Sequence, residues 1–231
     1  DYWRIRDFEF LEGGPFTDQD VAGGSAVAVV NAATRERFFG NRVKVHILNN
    51  AQNARCPEDC GYCSQSAVTD APLRPYPWKS KDELVEEAKK AYACGAFRYC
   101  MVASGRGPAD RQIDYLVDVV ETIRAEVPVN ICVSVGLLDE AKARRLKQAG
   151  VDRFNHNLNT SESHYPEICT THTYADRVRT IQFLKVAGIR VCSGGIFGMG
   201  ETRRHRVQMA FALKELNVDV VPMNFLNPIQ G

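Results

Sequence analysis

Residues 56–66 read CPEDCGYCSQS, so three cysteines, Cys56, Cys60 and Cys63, fall within eight positions of a 231-residue chain that has eight cysteines in all. Thiolates at CxxxCxxC spacing on one loop can reach three corners of a single cubane iron–sulfur cluster, which leaves the fourth iron without a protein ligand. A structural zinc site normally closes with four ligands, and the nearest upstream His, His46, is ten residues away inside a strand-like run. The spacing therefore favours a cluster with one open iron over zinc. Core packing is a poor explanation, because Pro, Asp, Glu and Gly dominate the residues between the thiols.

A second set of residues sits in apolar runs. Cys100 in RYCMV, Cys132 in NICVSV and Cys192 in RVCSG each fall near the middle of a predicted strand, and Asn155 and Asn157 in FNHNL are two apart. Alternate strand residues share a face, and Asn224 in PMNFL takes the matching place in a later run. Free Cys is commonly a small buried hydrophobe; three on separate strands at like depth instead suggest a barrel interior lined with soft ligands and amides. Cys94 and Cys169 read as structural, as do the five scattered histidines, for which a surface position serves as well; His156 points away from the face of the two asparagines. TRRHR at 202–206 reads as a solvated helix face.

These residues need elements to hold them, and the chain alternates regularly. SAVAVVNAATRERFFG has helical spacing and KVHIL at 44–48 is a strand candidate; after the cysteine loop, Ser80 and Glu83 make a capping-box pattern that opens a helix closed by Gly95. FRYCMVA, NICVSV, RFNHNL, RVCSGGIFG and VVPMNFL are then strands, each preceded by a helical stretch. Strands joined by helical crossovers run parallel with right-handed connections, which leaves a doubly wound sheet or a (β/α)8 barrel. No GxGxxG follows the first strand, so the barrel is preferred. A full barrel takes roughly 250 residues, and the six strands expected here make it an incomplete α/β TIM-type barrel. Residues 1–27 are expected to be an N-terminal extension and 28–231 the barrel domain, with its last units beyond Gly231.

Composition narrows the setting. The 29 basic and 28 acidic side chains give a net charge of +1, which provides no electrostatic case for nucleic acid or an anionic membrane surface. DYWRIRDFEFLEGG has no apolar run of signal-peptide length, and no stretch reaches the ~18 apolar residues of a membrane span. The expectation is a cytoplasmic protein, where thiols stay reduced and cysteines serve as ligands, nucleophiles or core residues.

Together, CPEDCGYCSQS, FNHNLNTS, CSGGIFGMGET and VPMNFL resemble the biotin synthase family of the radical S-adenosylmethionine superfamily. The resemblance covers about residues 28–231. It implies that Cys56, Cys60 and Cys63 are the catalytic cysteines that hold a 4Fe-4S cluster, whose free iron binds S-adenosylmethionine. One electron then cleaves the sulfonium to a 5'-deoxyadenosyl radical, which removes hydrogen from dethiobiotin. Sulfur comes from an auxiliary 2Fe-2S cluster, to which Cys100, Cys132 and Cys192 correspond; its arginine ligand would lie beyond Gly231. Tyr62, Asn157, Asn159 and Glu201 match cofactor-binding positions, and Asn155 and Asn224 match the amides that hold the ureido ring. The resemblance also implies an electron donor such as flavodoxin or ferredoxin, and a homodimer. Another radical S-adenosylmethionine enzyme with a related barrel, or an inactive cluster-binding fragment, would keep CxxxCxxC without needing the strand cysteines and paired asparagines.

Overall fold

The structure, a computed structural model, describes residues 44–228. The helix expected over 25–40 and the extension expected over 1–27 lie outside the described residues. The first strand, β1 (His46–Gln52), starts two residues later than the apolar run KVHIL suggests and continues through Asn49 and Asn50. Those asparagines are poor strand formers; they are carried by pairing with Met101 and Val102 on the neighbouring strand.

Helix α1 (Lys81–Ala93) begins at the expected capping box. Ser80 Oγ accepts from the Glu83 amide, while the Glu83 carboxylate accepts from the Ser80 amide at 2.7 Å. Two otherwise orphaned donors are thereby satisfied. The alternation continues with β2 (Arg98–Ala103), α2 (Asp110–Glu126), β3 (Asn130–Ser134), α3 (Glu140–Ala149) and β4 (Arg153–Asn155). Next come a short 3-10 turn (Glu162–His164), a one-turn helix α4 (Tyr165–Ile168), and α5 (Tyr174–Val186). The described chain finishes with β5 (Arg190–Cys192), β6 (Gly195–Phe197), α6 (Arg203–Glu215) and β7 (Met223–Phe225).

Strands β1 to β5 pair in sequential order and all run parallel. A doubly wound sheet reverses its strand order at a switch point; a strictly sequential order curls in one direction, as in a barrel. The fold is a partial TIM-type barrel.

The expected fifth strand, RVCSGGIFG, is two strands. It breaks at Ser193–Gly194, and β6 pairs with β7 in a second, two-stranded sheet. Seven strands are therefore described where six were expected. Bridges Asn159–Gly195 and Cys192–Val220 carry the wall across the break. Gly194 permits it, because a Cβ there would overlap the Pro222 carbonyl.

The two faces of the wall differ in kind. Tyr99, Met101, Ile131, Val133, Phe154 and Val191 point outward and are fully buried against Leu84, Leu116, Val120, Leu146 and Ile181 of the helices. Trimming one of these to Ala costs about 2–5 kcal/mol in transfer and cavity terms. The alternate residues point inward: Arg98, Cys100, Asn130, Cys132, Arg153 and Asn155. At the base of the wall Arg98, 1% exposed, donates to Asp152 at 2.5 Å, and Arg190 donates to the same carboxylate oxygen at 3.2 Å.

Candidate active site

A cavity of about 340 Å³ opens at the carboxyl ends of β2, β3 and β4, beneath the loop that follows β1. This is the end of a barrel on which active sites are built. Its wall combines Cys56, Cys60, Tyr62 and Cys63 from the loop with Val102, Ser134 and Asn155 from strand ends, and with Asn157, Asn159, His172 and Arg177 beyond them. A larger cavity of about 410 Å³, lined mainly by apolar residues such as Phe197, Met209, Leu213, Val221 and Met223, contains no thiol, acid or imidazole.

The cysteine loop is pinned by backbone bonds and by one acid. Cys56 N donates to Gln65 O at 2.8 Å and Cys63 N to Cys60 O at 3.1 Å. The Asp59 carboxylate accepts from the Thr170 and Thr171 amides at 2.9 and 3.2 Å. The Thr170 hydroxyl, its strongest influence, holds that carboxyl well below the usual range. Burial pushes the Cys56 thiol up, and burial together with the neighbouring Cys169 thiol pushes Cys60 up to about 12. The three loop thiols do not close to within 4.8 Å of one another. Thiolates around one tetrahedral zinc stand about 3.8 Å apart, as Zn–S bonds of about 2.3 Å require, so the loop in this conformation is too open for a single ion.

Tyr62 and Asn159, predicted separately, are joined: Asn159 Nδ2 donates to the Tyr62 hydroxyl at 2.7 Å. Asn159 has φ 71, a left-handed conformation that Asn adopts more readily than most residues. That accounts for the residue type independently of its hydrogen bond. Asn157 Oδ1 accepts from the Gly194 amide at 3.1 Å, which ties the amide to the break between β5 and β6.

Asn155 differs from both. Its Oδ1 is buried on the cavity wall and has no hydrogen-bond partner among the described residues. An unpaired buried acceptor costs about 1–3 kcal/mol, which a donor from a ligand would relieve.

The remaining predicted residues stand elsewhere. Asn224 is exposed, with Nδ2 3.4 Å from the Gly195 carbonyl, and the Glu201 carboxylate is occupied by the Gly198 and Met199 amides and by Arg206. Neither lines the cavity. Cys100 and Cys132 are Cα partners, and each lies two residues before a wall residue, Val102 or Ser134, on the same face. They are therefore about 6.6 Å deeper in the barrel, at 3.3 Å per residue. Cys192 is not at the same level; it pairs with Asn155, one repeat further along, whereas Cys132 pairs with Arg153. Even so, the Cys192 thiol lies near enough to the Cys132 thiol to disfavour its ionisation.

Three functional candidates escaped the sequence reading. Arg177 lines the cavity and donates to the Asn157 carbonyl at 3.1 Å, to His172 Nε2 at 2.9 Å and to the Tyr165 hydroxyl, with no carboxylate partner among the described residues. Cys169 and His172, read as structural, are buried beside Cys60, with Sγ–Sγ 3.7 Å between the cysteines. Their spacing, CTTH, is a C-x-x-H pattern visible in the sequence. His156 and His164 are also buried, which corrects a surface position for either.

A family model, the Radical SAM superfamily, matches residues 53–213. A curated biotin synthase from Leptospira biflexa is 52% identical over 205 residues, 88% of this chain and 58% of that relative. One from Geobacillus thermodenitrificans is 49% identical, covering 99% of this chain and 71% of the relative. The chain belongs to the biotin synthase family of the radical SAM superfamily. This member of the family spans about 58% of the length of the Leptospira relative. In fold it is similar to methylornithine synthase, with TM-score 0.74 and 20% identity over 84% of this chain and 57% of that one. Superfamily membership implies a 4Fe-4S cluster and S-adenosylmethionine. The donors fit such groups: three thiols and a guanidinium with no carboxylate partner among the described residues face one cavity whose loop is too open for a single ion. Among the described residues, no helix is long and apolar enough to cross a membrane.

Proposed function

We propose that the chain carries the cofactor- and substrate-binding half-barrel of a biotin synthase, which inserts sulfur into dethiobiotin. The observation that carries this reading is the orphaned Asn155 Oδ1 on the cavity wall, because a urea ring offers the N–H donor that this acceptor lacks.

Cys56, Cys60 and Cys63 would hold the 4Fe-4S cluster. Once reduced by an external electron donor, that group would supply the single electron that breaks a carbon–sulfur bond of S-adenosylmethionine and releases methionine. Arg177 offers a permanent cation to the cofactor's carboxylate, and Tyr62, fixed by Asn159, presents an aromatic edge beside it. Asn157 and Asn159 complete the cofactor side; Asn155 orients the substrate and excludes water from its face. The strand thiols would hold the auxiliary 2Fe-2S group, with Cys100 and Cys132 one layer deeper and Cys192 at the level of Asn155. The arginine ligand, the flavodoxin- or ferredoxin-type donor, the homodimer and the cytoplasmic setting complete the proposal by family likeness. Asn224 and Glu201 belong to the same proposal, and both would need the neighbouring loops to move for them to reach a ligand.

Asn155→Leu removes the acceptor at similar volume. After anaerobic reconstitution of an enzyme that contains this chain, dethiobiotin affinity is expected to fall ten- to a hundredfold, equivalent to about 1–3 kcal/mol, while release of deoxyadenosine continues. Unchanged affinity rejects the substrate assignment.

A further inference from the structure

Behind the cysteine loop, Cys169 and His172, which the proposed reaction does not use, meet Cys60, which it does. Cys60, Cys169 and His172 are all buried, and their ligating atoms lie within 4.8 Å of one another. We propose that, when the cluster is absent, these three residues bind a single soft divalent cation of the zinc class, so that Cys60 is shared between two alternative metal sites.

The argument is geometric. A tetrahedral ion with Zn–S about 2.3 Å and Zn–N about 2.05 Å has S–S edges of about 3.8 Å and S–N edges of about 3.6 Å. Cys60 and Cys169 sulfurs are 3.7 Å apart; Cys169 Sγ is 3.8 Å from His172 Nε2 and 3.2 Å from Nδ1, so a small turn of the ring brings Nε2 to the ion. The imidazole is already oriented: Nδ1 lies 2.6 Å from the Glu58 carboxylate, to which it donates, so Nε2 keeps its lone pair. A carboxylate behind a ligating histidine is the usual supporting arrangement, and its loss weakens metal binding ten- to a hundredfold.

Charge is accounted for as well. Two thiolates neutralise the dication, and Glu58 faces the Arg106 cation at 3.5 Å. Arg177, 2.9 Å from Nε2, has to withdraw as the ion enters; its bonds to the Tyr165 hydroxyl and the Asn157 carbonyl keep it nearby. Cys60 and His172 line the main cavity, so water can take the fourth position. Asp59 accepts from the Thr170 and Thr171 amides, which fix the loop next to Cys169, and the 3.2 Å bond it accepts from the Cys169 thiol is given up when that sulfur ionises onto the ion.

The ion would hold Cys60 away from cluster assembly, and iron–sulfide loading would then have to displace it. The site does not depend on the identity of the reaction.

Cobalt(II) titration of the cluster-free chain under anaerobic conditions tests this. One equivalent is expected, with tetrahedral d–d bands and charge-transfer absorption of two thiolates. Cys169→Ser is expected to weaken binding at least about tenfold, and Glu58→Gln about ten- to a hundredfold; Cys56→Ser leaves it unchanged. Zinc loaded first should slow iron–sulfide reconstitution in the wild type and not in Cys169→Ser. A cobalt spectrum that survives Cys169→Ser and is lost with Cys56→Ser would place the ion on the loop thiols and overturn the proposal. So would equal reconstitution rates with and without zinc.

Discussion

Cys100 and Cys132 face each other as Cα partners on β2 and β3, and Arg153 continues that row onto β4. Two thiols and a guanidinium thus form one transverse layer of the barrel. The pair shares its protons unequally: contact with the Cys132 thiol holds Cys100 below the usual thiol range, and the same contact, with burial, pushes Cys132 up.

Because that layer lies about 6.6 Å below the cavity wall by strand rise, its metal chemistry is expected to be separable from that of the loop. Cys132→Ala should abolish the absorption of the proposed auxiliary cluster and leave cleavage of S-adenosylmethionine; Cys63→Ala should do the reverse. Iron and sulfide analysis with deoxyadenosine quantitation checks both, and simultaneous loss of the two signals in a folded variant contradicts the assignment.

The base of the barrel predicts a stability effect. Arg98 is 1% exposed and its main counter-charge is Asp152. Asp152→Asn leaves that cation buried with His46 Nε2 at 3.3 Å as its neighbour. Removing one partner of a buried pair costs about 3–5 kcal/mol, and the lower end is expected because Asp152 is 20% exposed. A second change, Arg98→Met, should recover most of the loss in a urea unfolding series.

His156 predicts the pH response. Burial, and then the positive charge of Arg177, hold its imidazole well below the ordinary range. The folded chain therefore binds this proton less readily than the unfolded chain. Stability from His156 is complete above the unfolded pKa of about 6.5 and is lost as pH falls, at up to about 1.4 kcal/mol per pH unit. His156→Gln should flatten urea midpoints measured between pH 7.5 and pH 5.5; an unchanged slope would assign the acid sensitivity to other groups.

Much of this was legible in residue patterns, for reasons that particular elements make plain. Ser80 and Glu83 cap α1 through contacts three residues apart, so the start of that helix is written locally. The strand cysteines are readable because alternate residues of one strand share a face. The break at Ser193–Gly194 is not readable, because RVCSGGIFG is one unbroken strand-like run and the cause of its division is the Pro222 carbonyl pressed against Gly194. The surroundings of Cys169 are hidden for a similar reason. A Thr-rich loop looks exposed, and its burial comes from Asp59, 110 residues earlier in the chain, which grips Cys169 and its neighbours.

The in-register row of Cys100 and Cys132 also determines which errors the site can survive. Deleting a single residue within β3 would reverse the phase of the strand: Ile131 and Val133 would enter the lumen and Cys132 would face the helices. Loss of the two residues that follow Cys132 would preserve the facing and raise the thiol to the level of the cavity wall, where it would compete for the space of the substrate. Insertions and deletions in this strand are therefore tolerated by neither packing nor chemistry. The position of sulfur in the barrel is set by parity along the strand as much as by the identity of any one side chain.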